Sequence, residues 1–243
     1  FDLDDTLLDG GRLLPEALDA LYRLKAAGFE LFAVTGRPAG WGAVIAHQWP
    51  IDGAVTENGA IALVRDGGRI VLDDPVGEPE RAERRQRLFR AAEELRSLQP
   101  ELVPTDDVWQ RRSDFTFDIG EHQRLSRDAV ERARDNARAR GLSTLASSVH
   151  LHLSWDRVDK ASGTLRVLRR TSALDGTRIL GAYAFIGYSE NDAACFAAFR
   201  WTLGVSNWSG RPTVPPRFIT SRPRAQGFVE AAELLLARRS ELG

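Results

Sequence analysis

Asp2 and Asp4 have the spacing that puts two carboxylates on the same side of a strand. They sit in Phe1-Asp2-Leu3-Asp4-Asp5-Thr6-Leu7-Leu8, where an apolar residue leads in and an apolar pair leads out. If the chain leaves its strand here, both groups project beyond the strand's carboxyl end, where open α/β sheets bind ligands. Two such carboxylates repel unless a cation lies between them, which points to a hard metal such as Mg²⁺. A solvated acidic turn is the plain alternative. Three further pieces join them at strand ends or helix starts: Thr35-Gly36, Lys160, and Ser189 to Asp192. Phosphoryl transfer through an aspartyl-phosphate needs these residue types. One carboxylate attacks phosphorus, and a second carboxyl protonates the leaving oxygen and later activates water. A hydroxyl holds the phosphoryl oxygens, and a cation offsets developing charge.

The elements that must position these groups read as α/β. Residues 13–27 carry Leu14, Leu18, Leu21 and Leu24 at helical spacing, with Gly28 as a C-cap. Residues 30–34 form a buried strand that ends at Thr35, and a helix follows over 39–48. A short strand at 52–56 precedes Asn58-Gly59, which reads as hairpin chemistry. Strands at 61–64 and 69–72 then flank Asp66-Gly67-Gly68. After a linker over 73–79, charged helices at 80–98 and 126–140 alternate with strands at 114–119 and 149–155. The last strand alternates strictly, with Val149, Leu151 and Leu153 on one face and His150, His152 and Ser154 on the other. A helix at 160–170, strands at 182–186, 202–205 and 217–220, and a final helix at 226–239 complete the pattern. The expected architecture is a Rossmann-like parallel sheet core with helices on both faces, residues 1–74 and 156–243. It is interrupted by a small α+β cap domain, residues 75–155. Phe1 is read as the end of a strand that continues upstream of this sequence.

Lys and Arg number 33 against 34 Asp and Glu, so no net basic surface points to nucleic acid or anionic lipid. No apolar run is long enough to span a bilayer, and no signal peptide is visible. The single Cys195 lies in an apolar run, excludes an internal disulfide framework and fits a reducing compartment. A cytoplasmic monomer or homodimer acting on a small metabolite is therefore expected, with no nucleic-acid or membrane partner.

Taken in order, Asp2-Leu3-Asp4-Asp5-Thr6, Val34-Thr35-Gly36-Arg37-Pro38, Lys160 and Gly187-Tyr188-Ser189-Glu190-Asn191-Asp192 resemble the four motifs of the haloacid dehalogenase superfamily of phosphohydrolases. The resemblance covers nearly the whole chain. It implies Asp2 as nucleophile, Asp4 as general acid/base, Thr35 as the phosphate hydroxyl and Lys160 as the neutralising cation. It implies Mg²⁺ as cofactor, held by Asp2 and the backbone carbonyl of Asp4, and phosphate contacts from Thr35, Gly36 and Arg37; Asp192, Glu190 or Asn191 is read as the further oxygen donor. A cap between the second and third motifs is the type-two arrangement. With Glu57-Asn58-Gly59-Ala60, its shortness resembles the sugar-phosphate phosphatases that act on sucrose, trehalose and mannosyl-phosphoglycerate phosphates. His150, His152, Arg111 and Arg112 are then candidate substrate contacts from the cap. One position departs from the pattern: Tyr188 stands where the family carries a metal-binding Asp. The expectation is a Mg²⁺-dependent phosphatase of a small phosphorylated sugar or related metabolite. The alternatives are a phosphosugar mutase and a phosphosugar-binding protein of weakened activity.

Overall fold

The computed structural model describes residues 1–147, 149–208 and 213–242. The elements in chain order are α1 (Pro15–Ala26), β1 (Phe32–Val34), α2 (Ala39–Gln48), β2 (Gly53–Thr56), β3 (Ile61–Asp66), β4 (Arg69–Asp73) and α3 (Glu78–Leu98). Next come β5 (Val103–Pro104), β6 (Asp114–Asp118), α4 (Arg127–Ala139), β7 (Ser143–Ala146) and β8 (His150–Ser154). The chain closes with α5 (Lys160–Thr171), α6 (Gly176–Ala182), β9 (Ala184–Gly187), α7 (Ala193–Ala198), β10 (Trp201–Gly204), β11 (Phe218–Ile219) and α8 (Arg224–Leu242).

The first two residues join two half-sheets. β1 and β2 are parallel, and β3 and β4 extend that half antiparallel. β9, β10 and β11 form a parallel second half. Between β1 and β9 lie Phe1 and Asp2: Val34 N donates to Phe1 O at 2.7 Å and Asp2 N donates to Ile186 O at 2.8 Å. The order is therefore β4-β3-β2-β1-(1–2)-β9-β10-β11. Helices cover both faces. Ala17, Leu21 and Leu24 of α1 pack with Ile45 of α2 and Phe228 and Ala232 of α8 on one side. Val167 and Leu168 of α5, Ile179 of α6 and Phe196 of α7 pack on the other.

Between β4 and α5 the chain builds a second, antiparallel sheet in the order β5-β6-β8-β7. α3 and α4 cover one face, where Leu88, Leu95, Ala133 and Ala137 meet Phe115, Phe117, Leu151 and Leu153. The alternation in β8 thus leaves His150, His152 and Ser154 on the face that α3 and α4 do not cover. β5 and β7 did not stand out in the sequence: the first is two residues long and ends in Pro104, and the second has all four residues half-buried. The strand read at 182–186 begins at Ala184, because Asp175 caps α6 and carries helix through Ala182. Pro79 falls in the first turn of α3, which therefore starts at Glu78.

Candidate active site

Asp2 is held by the sheet, and Lys160 is brought to it by a capped helix. The Asp159 carboxylate accepts Ser162 N at 2.8 Å, and Asp159 N donates back to Ser162 Oγ at 3.0 Å. That capping box fixes the first turn of α5, whose leading residue is Lys160. Lys160 is buried, and its Nζ donates to Asp2 Oδ1 at 2.8 Å, Asp192 Oδ1 at 2.7 Å and Asn191 Oδ1 at 3.3 Å. Thr6 Oγ1 donates to Asp2 Oδ2 at 3.1 Å. Burial pushes the Asp2 carboxyl up to about 7, against the pull of Lys160, and Asp192 adds to the rise. The Lys160 ammonium is held well above its usual range: burial opposes the charge, but Asp192 and Asp2 outweigh it. The other Asp192 oxygen accepts the backbone N–H groups of Tyr188 and Ser189 at 3.0 Å each.

Thr35 follows β1, and its Oγ1 accepts Arg37 N at 3.1 Å, which leaves its hydroxyl proton free for a phosphoryl oxygen. Arg37 has a different task from the phosphate contact expected of it. Its guanidinium lies over the Trp41 ring at 4.1 Å and donates to Asp4 through Nη2 at 2.6 Å and Nε at 2.9 and 3.1 Å. It positions the acid/base candidate.

A cavity of about 260 Å³ opens between Lys160 and the uncovered face of the cap sheet. Asn58, Lys160 and Asn191 line it from the core, and Asp114, Ser143, Thr144, His152 and Ser154 from the cap. His152 thus lines the cavity opposite Lys160. Three other cap residues stand elsewhere. His150 Nε2 pairs with Glu121 at 2.7 Å, outside the lining. Arg112 Nη2 pairs with Glu78 at 2.5 Å, also outside it. Arg111 is buried and ties cap to core: Nη1 donates to Gly36 O at 3.0 Å and to Asp114, while Nε and Nη2 hold Asp107. Gly36 contributes that carbonyl. A Cβ there would meet Asn58 Oδ1 at 3.1 Å.

Two groups that bind the halves together were not singled out from sequence as site residues. Glu57, buried in the turn Glu57–Gly59, accepts Ala39 N at 2.9 Å from the core and Ser113 N and Oγ at 2.6 Å from the cap. Asp114 joins Arg111 to His152. The signal for the turn was Asn-Gly itself. It does connect β2 to β3, but Asn58 at φ 54° also lines the cavity. Gly59, at φ 107°, lies so close to α5 that an added Cβ would stand 2.1 Å from Asp159 O, and one on Gly163 would stand 2.3 Å from Gly59 O.

The donor set for a divalent cation falls short. Asp2 has oxygen lone pairs to give, and the Asp4 carbonyl is the second donor that the resemblance implies. Both Asp192 oxygens and Asn191 Oδ1 are engaged with Lys160 and the 188–189 segment. Tyr188 stands where a third carboxylate would be. Its phenol is kept neutral well above its usual range by burial and by Asp5, Asp2, Asp192 and Asp4. Among the described residues no three His, Cys, Asp or Glu side chains converge as a metal cage. The residues present thus do not make a full hard-cation site.

Residues 1–82, which carry Asp2, Asp4, Thr35 and the turn at Glu57–Gly59, match the haloacid dehalogenase-like hydrolase family model. The whole chain shares the fold: a solved structure from Thermoplasma acidophilum superposes with a TM-score of 0.77 at 16% identity, over 96% of this chain and 95% of that one. The sucrose-phosphatase of Synechocystis superposes with a TM-score of 0.65 at 16% identity, over 96% of this chain and 95% of that one. In sequence the chain is 27% identical to a phosphoglycolate phosphatase of Archaeoglobus fulgidus, over 96% of this chain and 94% of the relative. No helix among the described residues is long and apolar enough to cross a membrane.

Proposed function

We propose that this protein is a phosphatase of small phosphorylated metabolites that works through an aspartyl-phosphate on Asp2. The observation that carries the reading is the buried Lys160 ammonium shared by Asp2 and Asp192 at the edge of the cavity between core and cap. Asp2 attacks phosphorus and displaces the leaving oxygen, which takes a proton from Asp4. Asp4 then removes a proton from water, whose oxygen attacks the acyl-phosphate and returns Asp2 as inorganic phosphate departs. Thr35 donates to a phosphoryl oxygen, and Lys160 offsets the charge that develops there. Arg37 must release the Asp4 carboxyl for the first proton transfer. Mg²⁺ is the proposed cofactor, held weakly because Tyr188 replaces a carboxylate.

The test is release of phosphate from an aryl phosphate with Mg²⁺ titrated over a wide range. Turnover should rise with Mg²⁺ and saturate only at high concentration. Hydroxylamine should trap an acyl-phosphate on Asp2. Turnover with no such adduct would overturn the covalent route. A phosphosugar mutase, the other reading of the same centre, requires activation by a bisphosphorylated sugar.

A further inference from the structure

Among the described residues the sheet edges are β4 and β11 in the core and β5 and β7 in the cap. Edge strands are commonly blunted by shortness, proline or polar side chains. β5 and β11 are two residues long, and β5 ends in Pro104. β7 opens with Ser143 and Thr144. β4 is five residues long, and its middle is Ile70-Val71-Leu72, with no charge, proline or bulge. Val71 is 41% exposed and Leu72 40%. An open apolar edge of this kind is a template for a further strand.

The β3–β4 hairpin decides which groups face outward. Gly67 and Gly68, at φ 52° and 84°, make a two-residue turn flanked by Asp66 and Arg69, so that flanking pair is hydrogen-bonded. Bonded and non-bonded pairs alternate from there. Arg69, Val71 and Asp73 therefore spend their backbone groups on β3, while Ile70 and Leu72 turn theirs to the open edge. The side chains alternate as well. Ile70 packs with Ala39 and Ala46 of α2, which puts Leu72 on that side too. Asp73 lies on the α5 side, where it accepts Arg170 Nη1 at 2.5 Å and Arg166 Nε at 3.4 Å, and Val71 and Arg69 share that side. Among the described residues no ion pair engages Arg69 or Asp66.

Arg69-Ile70-Val71-Leu72-Asp73 is self-complementary about its centre: a cation at one end, a carboxylate at the other and three apolar residues between. A two-fold axis through Val71 sets Ile70 against Leu72 of a second copy, and these are the two residues whose backbone groups are turned outward. It sets Val71 against Val71, apolar on apolar. It sets Arg69 against Asp73 and brings Asp66 to the end that carries Arg170, so opposite charges meet in both pairings.

We propose that β4 is the interface of a homodimer, in which two copies of this chain pair antiparallel through residues 69–73 and join their core sheets into one. The axis reverses strand direction. The two caps therefore lie at opposite ends of the joined sheet, and each active centre stays within its own chain.

The test uses the full chain in sedimentation equilibrium at micromolar concentration. The unsubstituted protein should sediment at twice its 26.9 kDa, and Val71→Lys should sediment as a monomer with an unchanged circular dichroism spectrum. Single cysteines then read the register. Val71 opposes its own copy in a non-hydrogen-bonded pair, with Cα atoms about 4.5 Å apart, within disulfide reach. Ile70 and Leu72 stand diagonally from their own copies at about 7–8 Å, beyond it. Under mild oxidation Val71→Cys should therefore form a covalent dimer about tenfold faster than Ile70→Cys or Leu72→Cys. A monomeric unsubstituted protein, a dimer that survives Val71→Lys, or equal cross-linking at the three positions overturns the interface. If Val71→Lys does not fold, the mass of the unsubstituted protein and the cysteine comparison decide alone.

Discussion

Asp2 in the core and Asp114 in the cap are each 4% exposed, yet their protons are held in opposite ways. Asp2 shares one ammonium with Asp192, so burial prevails and its carboxyl rises to about 7. Asp114 draws on both the Arg111 guanidinium, which it shares with Asp107, and an imidazole N–H, so its partners prevail over burial and its carboxyl falls. Equal burial thus gives opposite chemistry, decided by the ratio of cations and donors to carboxylates. The core centre carries an excess of negative charge and suits chemistry that consumes it. The cap centre is closed on itself and suits recognition.

The largest effect should come from removing the Asp2 carboxylate. Asp2→Asn should lower aryl-phosphate turnover about 10⁴-fold or more while the fold persists, since loss of a nucleophile commonly costs that much. Near-native turnover with an unchanged circular dichroism spectrum would remove Asp2 from the mechanism. Lys160→Met is expected next. It leaves Asp2 and Asp192 buried side by side with no cation, and breaking one side of such a buried group costs about 3–5 kcal/mol. Denaturant unfolding measures this, and a loss below about 1 kcal/mol would show that the two carboxylates do not depend on the ammonium.

The pH dependence of stability should then separate the two centres. A carboxyl raised in the folded state contributes stability that is full below its ordinary value, about 4, and is lost as pH rises through the folded one. The Asp2 contribution should therefore decline from about pH 4 and vanish above about 7. Asp114 is lowered, so its contribution is present above about pH 4 and is lost as pH falls through its folded value. Thermal melts across pH should show the high-pH decline flattened in Asp2→Asn and the acid decline flattened in Asp114→Asn. The same variant flattening both limbs would mean one shared cluster rather than two. The smallest effect is expected of Tyr188→Asp. It adds a carboxylate to a centre already short of cations, so stability should fall slightly without Mg²⁺, and Mg²⁺ affinity should rise severalfold by the added oxygen ligand. Unchanged affinity by calorimetry would show that other oxygens already complete the site.

The chain order made the core legible. Each of Asp2, Thr35, Lys160 and Asp192 closes a strand or opens a helix, and periodicity placed those ends within a few residues. The fold class followed from the same alternation. The junction between cap and core was not legible, because its partners lie far apart along the chain. Glu57 meets Ser113 across 56 positions, Arg111 meets Gly36 across 75 and Asn58 meets His152 across 94. No local pattern marks such pairs. Arg111 and Arg112 looked alike in sequence, yet one is buried against Asp114 and Gly36 and the other reaches out to Glu78. His150 and His152 share a strand face, but Glu121 takes the first while Asp114 aims the second at the cavity.

The contact between Gly59 and Gly163 sets a fixed ruler in this molecule. Neither residue can gain a methyl group unless the opposing backbone withdraws. The turn carrying Asn58 and the helix carrying Lys160 are thereby kept in lock-step. The distance between Asn58 and Lys160 is therefore not open to gradual adjustment by substitution of either glycine. Positions across the cavity, such as Thr144 and Ser154, lie in the cap sheet and take no part in that backbone contact. Diversification of this scaffold would proceed from the cap wall inward, while the spacing between the Glu57–Gly59 turn and the start of α5 stays constant.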